Sequence, residues 1–258
     1  MTSRNYWPQL DGIRAVAISA VIAYHLGYLP GGWIGVDIFF VLSGYLITTI
    51  LLSRHESSLG LKGFWGSRAK RLLPAVLLLL LVLSIYAWVG GPGLVPAQLR
   101  PPALATLFYT ANWHEILAGH SYFATYAAPN PLQHMWSLAV EEEYYLVWPL
   151  MLAALLLVTR GRQRQRQALI VGTLALVVAS AAWMGVAAHL YGANRAYLGT
   201  DTRAWELLMG GAAAMLWPPG QRASRFSLRS VRYPRSSSHL ALHARHAVDP
   251  ESRPQSYS

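Results

Sequence analysis

The stretch LDGIRAVAISAVIAYH, from Leu10 to His25, decides the fold, because ten residues without charge separate Arg14 from His25. In a helix, a step of eleven residues rises about 16 Å and places both side chains on one face, near opposite ends of the apolar segment. Ionisable groups within a membrane span are costly, so they indicate a functional site. The alternative is that Arg14 reaches the lipid headgroups and His25 merely ends the helix.

Composition places the chain in a membrane. Of its 258 residues, 54% are hydrophobic and 12% are charged, whereas about 25% of a soluble domain is charged. Several apolar runs approach the roughly 20 residues that cross a bilayer. The absence of cysteine excludes disulfides, thiolate metal ligands and a cysteine nucleophile. The basic residues that give the chain its net charge of +10 lie between the apolar runs and in the C-terminal part. We therefore predict no nucleic-acid partner.

The apolar runs predict an all-α, polytopic transmembrane helix bundle with about six to seven membrane segments. Ala103–Ala118 is ambiguous. The six stronger candidate spans are Leu10–Tyr28, Ile34–Leu52, Leu72–Val89, Leu138–Val158, Ala168–Tyr191 and Trp205–Trp217.

Arginine and lysine between the spans predict the orientation, because cytoplasmic loops are enriched in both. One cluster follows the second span and another follows the fourth; they comprise Arg54, Lys62, Arg68, Lys70 and Arg71, then Arg160, Arg162, Arg164 and Arg166. We therefore expect a multi-pass membrane protein with a cytoplasmic N-terminus. Residues 90–137 then begin and end outside, so Ala103–Ala118 cannot be a single crossing. The segment is either re-entrant or lies along the outer face, unless a second crossing lies nearby.

The predicted domain boundary lies after residue 217. From Pro218 onward the apolar pattern stops, and seven arginines outnumber two carboxylates. Such a segment cannot bury enough apolar surface to fold alone. We expect 218–258 to be a disordered, basic, cytoplasmic tail close to anionic lipid, or a sequence that no longer encodes an ancestral domain.

Carboxylates are predicted near the depth of His25. Asp37 begins the second span and could raise the basicity of His25 as a general base, or could simply cap its helix. Glu141, Glu142 and Glu143 open the fourth span, where the helix dipole favours negative charge. Successive residues point about 100° apart, so at least one of the three glutamates should face the protein interior.

Two further groups of charged residues indicate a functional site less specifically. Arg68 and Arg71 share a helix face on the predicted cytoplasmic side, where two guanidiniums suit phosphates; the alternative is an ordinary positive-inside signal. In the last outer loop, Asp201, Arg203 and Glu206 could form a local lattice of ion pairs or the rim of a cavity.

Five motifs in this order resemble the acyltransferase 3 family of bacterial membrane acyltransferases, which O-acylate surface polysaccharides, lipopolysaccharide, peptidoglycan and antibiotics. The resemblance covers residues 6 to about 217. The motifs are Leu10–Ala15 with Arg14-x10-His25, Gly35–Ile47, Arg68-x-x-Arg71-Leu72-Leu73-Pro74, Trp136–Leu146 and Asp201–Leu208.

The resemblance implies an acyl-CoA donor, acetyl-CoA being the expected one, that enters from the cytoplasm. It also implies a location in the bacterial inner (cytoplasmic) membrane, an extracytoplasmic carbohydrate hydroxyl as acceptor, and no metal. Arg14 and His25 match the family's essential pair, Arg68 and Arg71 match a proposed CoA-phosphate site, and Glu141 and Glu142 match the acidic positions of the Trp-Ser-Leu motif. Together with Asp37, these residues form the predicted site, in which His25 acts as a general base or carries the acyl group.

The chain departs from the family in length, since members usually have about ten spans. We therefore expect an O-acyltransferase domain that is shortened at its C-terminus. The alternatives are an inactive remnant, a subunit that needs a partner, and a proton-coupled transporter. Against the transporter, the sequence contains no internal repeat and no paired broken helices.

Overall fold

The computed structural model describes residues 8–54, 61–119, 130–159 and 164–217, all of which belong to the unit Met1–Pro219. The predicted tail lies outside the described residues and stays a prediction. Within the described ranges the secondary structure is entirely helical: α1 Pro8–His25, α2 Ile34–Arg54, α3 Leu61–Trp88, α4 Pro96–Leu107, α5 Ala111–Leu117, α6 Met135–Val158, α7 Gln165–Tyr191, α8 Ala193–Leu198 and α9 Thr200–Leu216.

Each of the six predicted spans coincides with a long helix. Among the described residues, three of these helices are long and apolar enough to cross a membrane: Ile34–Ser53 of α2, all of α3 and all of α7. The helix α6 carries three glutamates, and α9 has 17 residues. The all-helical class is therefore confirmed, whereas the count of six to seven spans remains a prediction.

One predicted loop is a helix. The sequence places Lys62, Arg68 and Arg71 in a cytoplasmic loop before a span that begins at Leu72, but α3 begins at Leu61 and includes all three. The side chain of Phe64 is 4% exposed and belongs to the main hydrophobic core. Burial of this ring anchors the first turns of α3, so the helix extends well beyond its apolar run.

The ambiguous segment Ala103–Ala118 covers the end of one short helix and the whole of another. The first, α4, ends at Leu107, and α5 begins at Ala111. Between them Tyr109 has a φ of 53°, in the left-handed region that non-glycine residues seldom adopt. With 12 and 7 residues, neither helix reaches the roughly 20 residues of a crossing. This agrees with the prediction that the segment is not a single crossing.

The core is built from α2, α6 and α9, which run parallel to one another. Ser43 contacts Glu141 and Thr48 contacts Trp148, so α2 and α6 keep the same direction. Likewise, Asp37 contacts Arg203 near the start of α9, and Tyr45 contacts Trp217 just after its end.

The helix α7 runs antiparallel to α9. At its start, Arg166 donates to the carbonyl oxygen of Met215 at 2.9 Å, and near its end Trp183 donates to Asp201 at 2.6 Å. Arg166 thereby satisfies carbonyl groups that a helix C-terminus leaves without partners. These relative directions are those that the predicted order of crossings requires.

Candidate functional site

His25 lies at the C-terminal end of α1, beside a second histidine. Its Nδ1 is 2.7 Å from the carbonyl oxygen of Val21, and its ring centroid is 4.6 Å from that of His134, with the ring planes at 88°. His134 directly precedes α6. Partial burial, followed by the charge of His25, lowers the pKa of His134 below the usual value for histidine. The predicted site residue thus has a neighbour that the sequence analysis did not single out.

Arg14 lies near the other end of α1 and does not reach His25. Its guanidinium is 3.5 Å from Asp11, with 37% of the Arg14 side chain exposed. Eleven residues of helix separate the two members of the predicted pair by about 16 Å. If both residues take part in the same transfer reaction, they therefore act at different depths in the molecule.

Asp37 does not pair with His25, which corrects the predicted partnership. Its carboxylate is bonded to Arg203, whose guanidinium also lies 3.0 Å from Glu206. Arg203 is 2% exposed and Glu206 is 1% exposed. The cause is the parallel packing of α2 and α9, which sets the first turns of both helices side by side. Of the residues considered for a lattice of ion pairs, Arg203 and Glu206 therefore do pair with each other, and Asp37 joins them in place of Asp201.

The three consecutive glutamates of α6 face three different neighbours. Glu141 accepts hydrogen bonds from Ser43 on α2 and from Tyr145, the latter at 2.6 Å. Glu142 pairs with Arg68 on α3. Steps of about 100° around a central helix direct successive side chains to different partners. The expectation that at least one glutamate faces the interior is confirmed.

Glu143 was not predicted as a site residue, yet two elements hold it. It accepts hydrogen bonds from Trp113 of α5, at 3.2 Å, and from Thr200 of α9. Asn112 of α5 also donates to Thr200 at 2.9 Å. The run of three glutamates signalled such a residue, but its position within the run could not be deduced without the neighbouring helices.

Arg68 and Glu142 form an ion pair with an N–O distance of 2.9 Å. The guanidinium of Arg68 also lies 3.6 Å from the ring centroid of Tyr145. The predicted separation of Arg68 and Glu142, one near the cytoplasmic side and the other near the outer side, is therefore wrong. Both residues lie some turns inside their helices, and the antiparallel crossing of α3 and α6 brings them to one depth. Arg71, one turn further along α3, is exposed.

A proline fixes this crossing. Pro149 lies inside α6 and has no N–H to donate to the carbonyl of Tyr145, four residues earlier. The indole N–H of Trp65 donates to that carbonyl at 2.9 Å. The freed carbonyl is thus satisfied from α3, which positions Arg68 one turn further along the same helix.

A pocket of about 390 Å³ opens beside the ion pair. It lies between α3, the turn that joins α4 to α5, and α6. We call it the α3–α6 pocket, and it is lined by Trp65, Arg68, Ala69, Leu73, Phe108, Tyr109, Thr110, Glu142, Glu143, Tyr145 and Leu146.

A separate ion pair joins α8 to α9. Arg195 lies 2.7 Å from Asp201, which also accepts a hydrogen bond from Trp183. Although partial burial acts to raise the pKa of the Asp201 carboxyl, the bonds from Arg195 and Trp183 lower it below the usual value. Asp201 therefore belongs to a local ion pair, distinct from the one centred on Arg203.

Apolar helices long enough to cross a bilayer, packed around buried carboxylates and guanidiniums, define an integral membrane protein with a polar centre. The chain matches the acyltransferase domain family over residues 7–233 and belongs to that family, the acyltransferase 3 family. The match extends beyond residue 217, where the predicted domain ends. No solved structure gives a significant match.

Three curated relatives are similar to most of this chain. Peptidoglycan O-acetyltransferase OatA of Listeria monocytogenes is 47% identical over 222 residues, which cover 84% of this chain and 35% of the relative. Putative peptidoglycan O-acetyltransferase YrhL of Bacillus subtilis is 42% identical, covering 93% and 37%. O-acetyltransferase OatA of Staphylococcus aureus is 42% identical, covering 85% and 36%. The chain thus spans little more than a third of these relatives' length.

Proposed function

We propose that this chain contains the membrane part of an O-acetyltransferase that modifies a hydroxyl group of an extracytoplasmic glycan. The family match and the relatives' names support acetyl transfer. Two of these names specify peptidoglycan, so we propose peptidoglycan as the acceptor, in place of the broader set that included lipopolysaccharide.

The bond between His25 and Val21 carries the mechanistic proposal. A backbone carbonyl can only accept, so Nδ1 of His25 must carry the hydrogen of this 2.7 Å contact. In the neutral ring, Nε2 then keeps its lone pair. An exposed imidazole with Nε2 available is suited to take a proton from an acceptor hydroxyl.

In the proposed transfer, His25 takes the hydroxyl proton as the acceptor oxygen attacks the acyl carbonyl carbon. A carbon–oxygen bond forms, the bond between that carbon and the donor sulfur breaks, and the proton passes from the imidazolium to the thiolate. The donor in this scheme is acyl-CoA, which remains the prediction from the family resemblance. Arg71, which is exposed, keeps its proposed role in binding the donor phosphates.

A covalent route remains a second form of the same proposal. Here Nε2 of His25 first attacks the acyl carbon and releases the thiolate. The oxygen of the acceptor hydroxyl then displaces the imidazole from that carbon, and the hydroxyl proton passes to the thiolate. Trapping an acylated His25 by mass spectrometry after a rapid acid quench would distinguish this route from general-base catalysis.

The test is acetyl transfer in membranes that carry this chain. We expect label from acetyl-CoA to appear in peptidoglycan with the unmodified chain and to fall to background with His25→Ala, because no other group in the scheme takes the hydroxyl proton. His189→Ala, which removes an exposed histidine from the last turn of α7, is the matched control.

Full activity of His25→Ala would refute the role of His25. Absence of label with every variant, despite protein in the membrane, would instead favour the alternative that the chain needs a partner. Among the described residues of α1 only Ala17 is buried, and Val16 and Ile22 are 67% and 53% exposed, so either lipid or a partner's helix would cover this face.

A further inference from the structure

The α3–α6 pocket has a charge balance that excludes a simple anion site. Arg68 contributes one positive charge, and Glu142, at 2.9 Å, neutralises it. Glu143 also lines the pocket, with its carboxylate bonded to Trp113 and Thr200. A phosphate would therefore meet at least as much negative charge as positive charge. This pocket differs in that respect from two free guanidiniums at a membrane surface.

The ion pair nevertheless offers hydrogen bonds of both kinds. A guanidinium has five N–H donors, and Glu142 accepts one of those of Arg68. A carboxylate has about four acceptor positions, so Glu142 can accept further hydrogen bonds. The side chains of Arg68 and Glu142 are 25% and 15% exposed, respectively, which leaves both accessible from the pocket. A neutral group that both accepts and donates would match them.

The remaining walls are mainly aromatic and aliphatic. Trp65 and Leu73 come from α3, Tyr145 comes from α6, and the turn after α4 adds Phe108 and Tyr109. Tyr109 holds a left-handed backbone conformation there. Non-glycine residues keep such strained conformations only where the surrounding structure imposes them, often at ligand sites. The walls thus suit a planar or apolar body next to the polar pair.

We propose that the α3–α6 pocket binds an uncharged secondary amide, whose carbonyl oxygen accepts from Arg68 and whose N–H donates to Glu142. Flanking apolar atoms of the ligand pack on Trp65, Phe108 and Tyr109. Two sources of this chemistry suit a glycan acetyltransferase: the acetamido group of an amino sugar and the amide-containing arm of a pantetheine thiol. Only the ligand's part in the reaction rests on the proposed function; the binding itself does not.

The experiment is ligand-detected saturation-transfer NMR with the full chain in lipid nanodiscs. The probes are N-acetylglucosamine, glucose, pantetheine and inorganic pyrophosphate. Glucose has a hydroxyl in place of the acetamido group and is the matched neutral probe. The protein variants are Glu142→Gln, Arg68→Met and Leu73→Trp, which fills the pocket without altering the ion pair. Lys70→Met, which removes an exposed cation from the same helix outside the pocket, is the control.

We expect saturation transfer to at least one amide probe, little to glucose, and affinity at least about tenfold weaker in Glu142→Gln and Arg68→Met. Leu73→Trp should abolish the signal, and Lys70→Met should retain it. If the charge variants fail to fold, Leu73→Trp still tests whether the ligand binds in the pocket. A signal from N-acetylglucosamine alone assigns the amide to the acceptor, and a signal from pantetheine alone assigns it to the donor.

Three results would overturn the proposal: no binding of either amide, binding of glucose as tight as that of the amide that binds, or binding of pyrophosphate that Arg68→Met abolishes. The last would establish an anion site. None of them bears on acetyl transfer, which the labelling assay measures separately, so failure of this inference and failure of the proposed function are distinguishable.

Discussion

Arg203 balances two carboxylates from different helices, since Asp37 belongs to α2 and Glu206 lies one turn further along α9. With 3% of its side chain exposed, the guanidinium has lost most of its contact with solvent. The rings of Phe40 and Tyr197 lie 5.5 and 5.0 Å from it. Ionised groups in such surroundings are tolerated only as a set, because removal of one leaves its partners buried and unpaired.

Replacement of Arg203 should therefore be severe. We expect Arg203→Met to lower the free energy of unfolding by about 3–5 kcal/mol, because the buried carboxyl group of Glu206 and the partly buried carboxylate of Asp37 lose their shared partner. The matched control is Arg195→Met, whose partner Asp201 has a side chain that is 39% exposed; its loss should cost at most about 1 kcal/mol. Thermal unfolding in detergent measures both, and equal effects would contradict the argument.

The pKa of His134 should depend on the neighbouring ring of His25. We expect the pKa of His134 to lie below the usual value of histidine and to rise in His25→Phe, which keeps a ring but removes the neighbouring charge. A lowered pKa means that the stabilising contribution of His134 is present at neutral pH and is lost as the pH falls. NMR titration of labelled histidine checks this. An unchanged pKa in His25→Phe would show that the two rings do not interact electrostatically.

At the scale of elements, α2 and α9 approach so closely that glycine is required at the contact. A Cβ atom on Gly44 would lie 1.8 Å from the carbonyl oxygen of Leu207, and one on Gly210 would lie 1.9 Å from that of Val41. Neither distance can be relieved by rotating a side chain, because the obstructing atoms belong to the backbone. This contact also sets the spacing at which Asp37 reaches Arg203.

We expect Gly44→Ala and Gly210→Ala each to destabilise the protein markedly, because the two helices must move apart. A Cβ atom on Gly185, in the interior of α7, would meet no neighbouring element within 4 Å among the described residues. Gly185→Ala should be neutral or stabilising by up to about 1 kcal/mol, since alanine favours the helix. Unfolding midpoints of the three variants test this, and tolerance of alanine at position 44 would show that the helices are not in this contact.

At the scale of the whole molecule, the outer faces of the long helices are apolar. Val178, near the middle of α7, is 67% exposed, and Leu78 of α3 is 62% exposed. Exposed apolar surface this extensive is unusual on a protein surrounded by water, where contiguous apolar patches rarely exceed a few hundred Å². Lipid, or helices of another chain, would cover these faces without cost.

A lysine in the middle of α7 tests this membrane setting. We expect Val178→Lys to reduce membrane insertion of α7 by about 2.5–3.5 kcal/mol, the cost of a charge at the centre of a spanning helix. Gln167→Lys places the same side chain in the first turn of α7, where it can reach the headgroups, and should be tolerated. Glycosylation-site mapping of insertion measures both variants. Equal insertion would argue against a spanning α7.

The sequence predicted the helices well and their partners less well. Apolar runs located the ends of α1, α2, α6, α7 and α9 to within five residues, because helix formation and membrane insertion depend on local composition. The start of α3 was predicted eleven residues too late, because its charged first turns resemble a loop. Its position depends on Phe64, which packs against residues distant in the chain.

The sequence by itself determined that this is a helical membrane protein of the acyltransferase 3 family, and it singled out His25, Asp37, Arg68 and the glutamates of α6. Only the tertiary structure decided the pairing: Asp37 with Arg203, Arg68 with Glu142, and His25 beside His134. The physical reason is that these partners lie on helices far apart in the chain. A residue's own surroundings in the sequence do not specify which helix it will face; the packing of the helices against one another does.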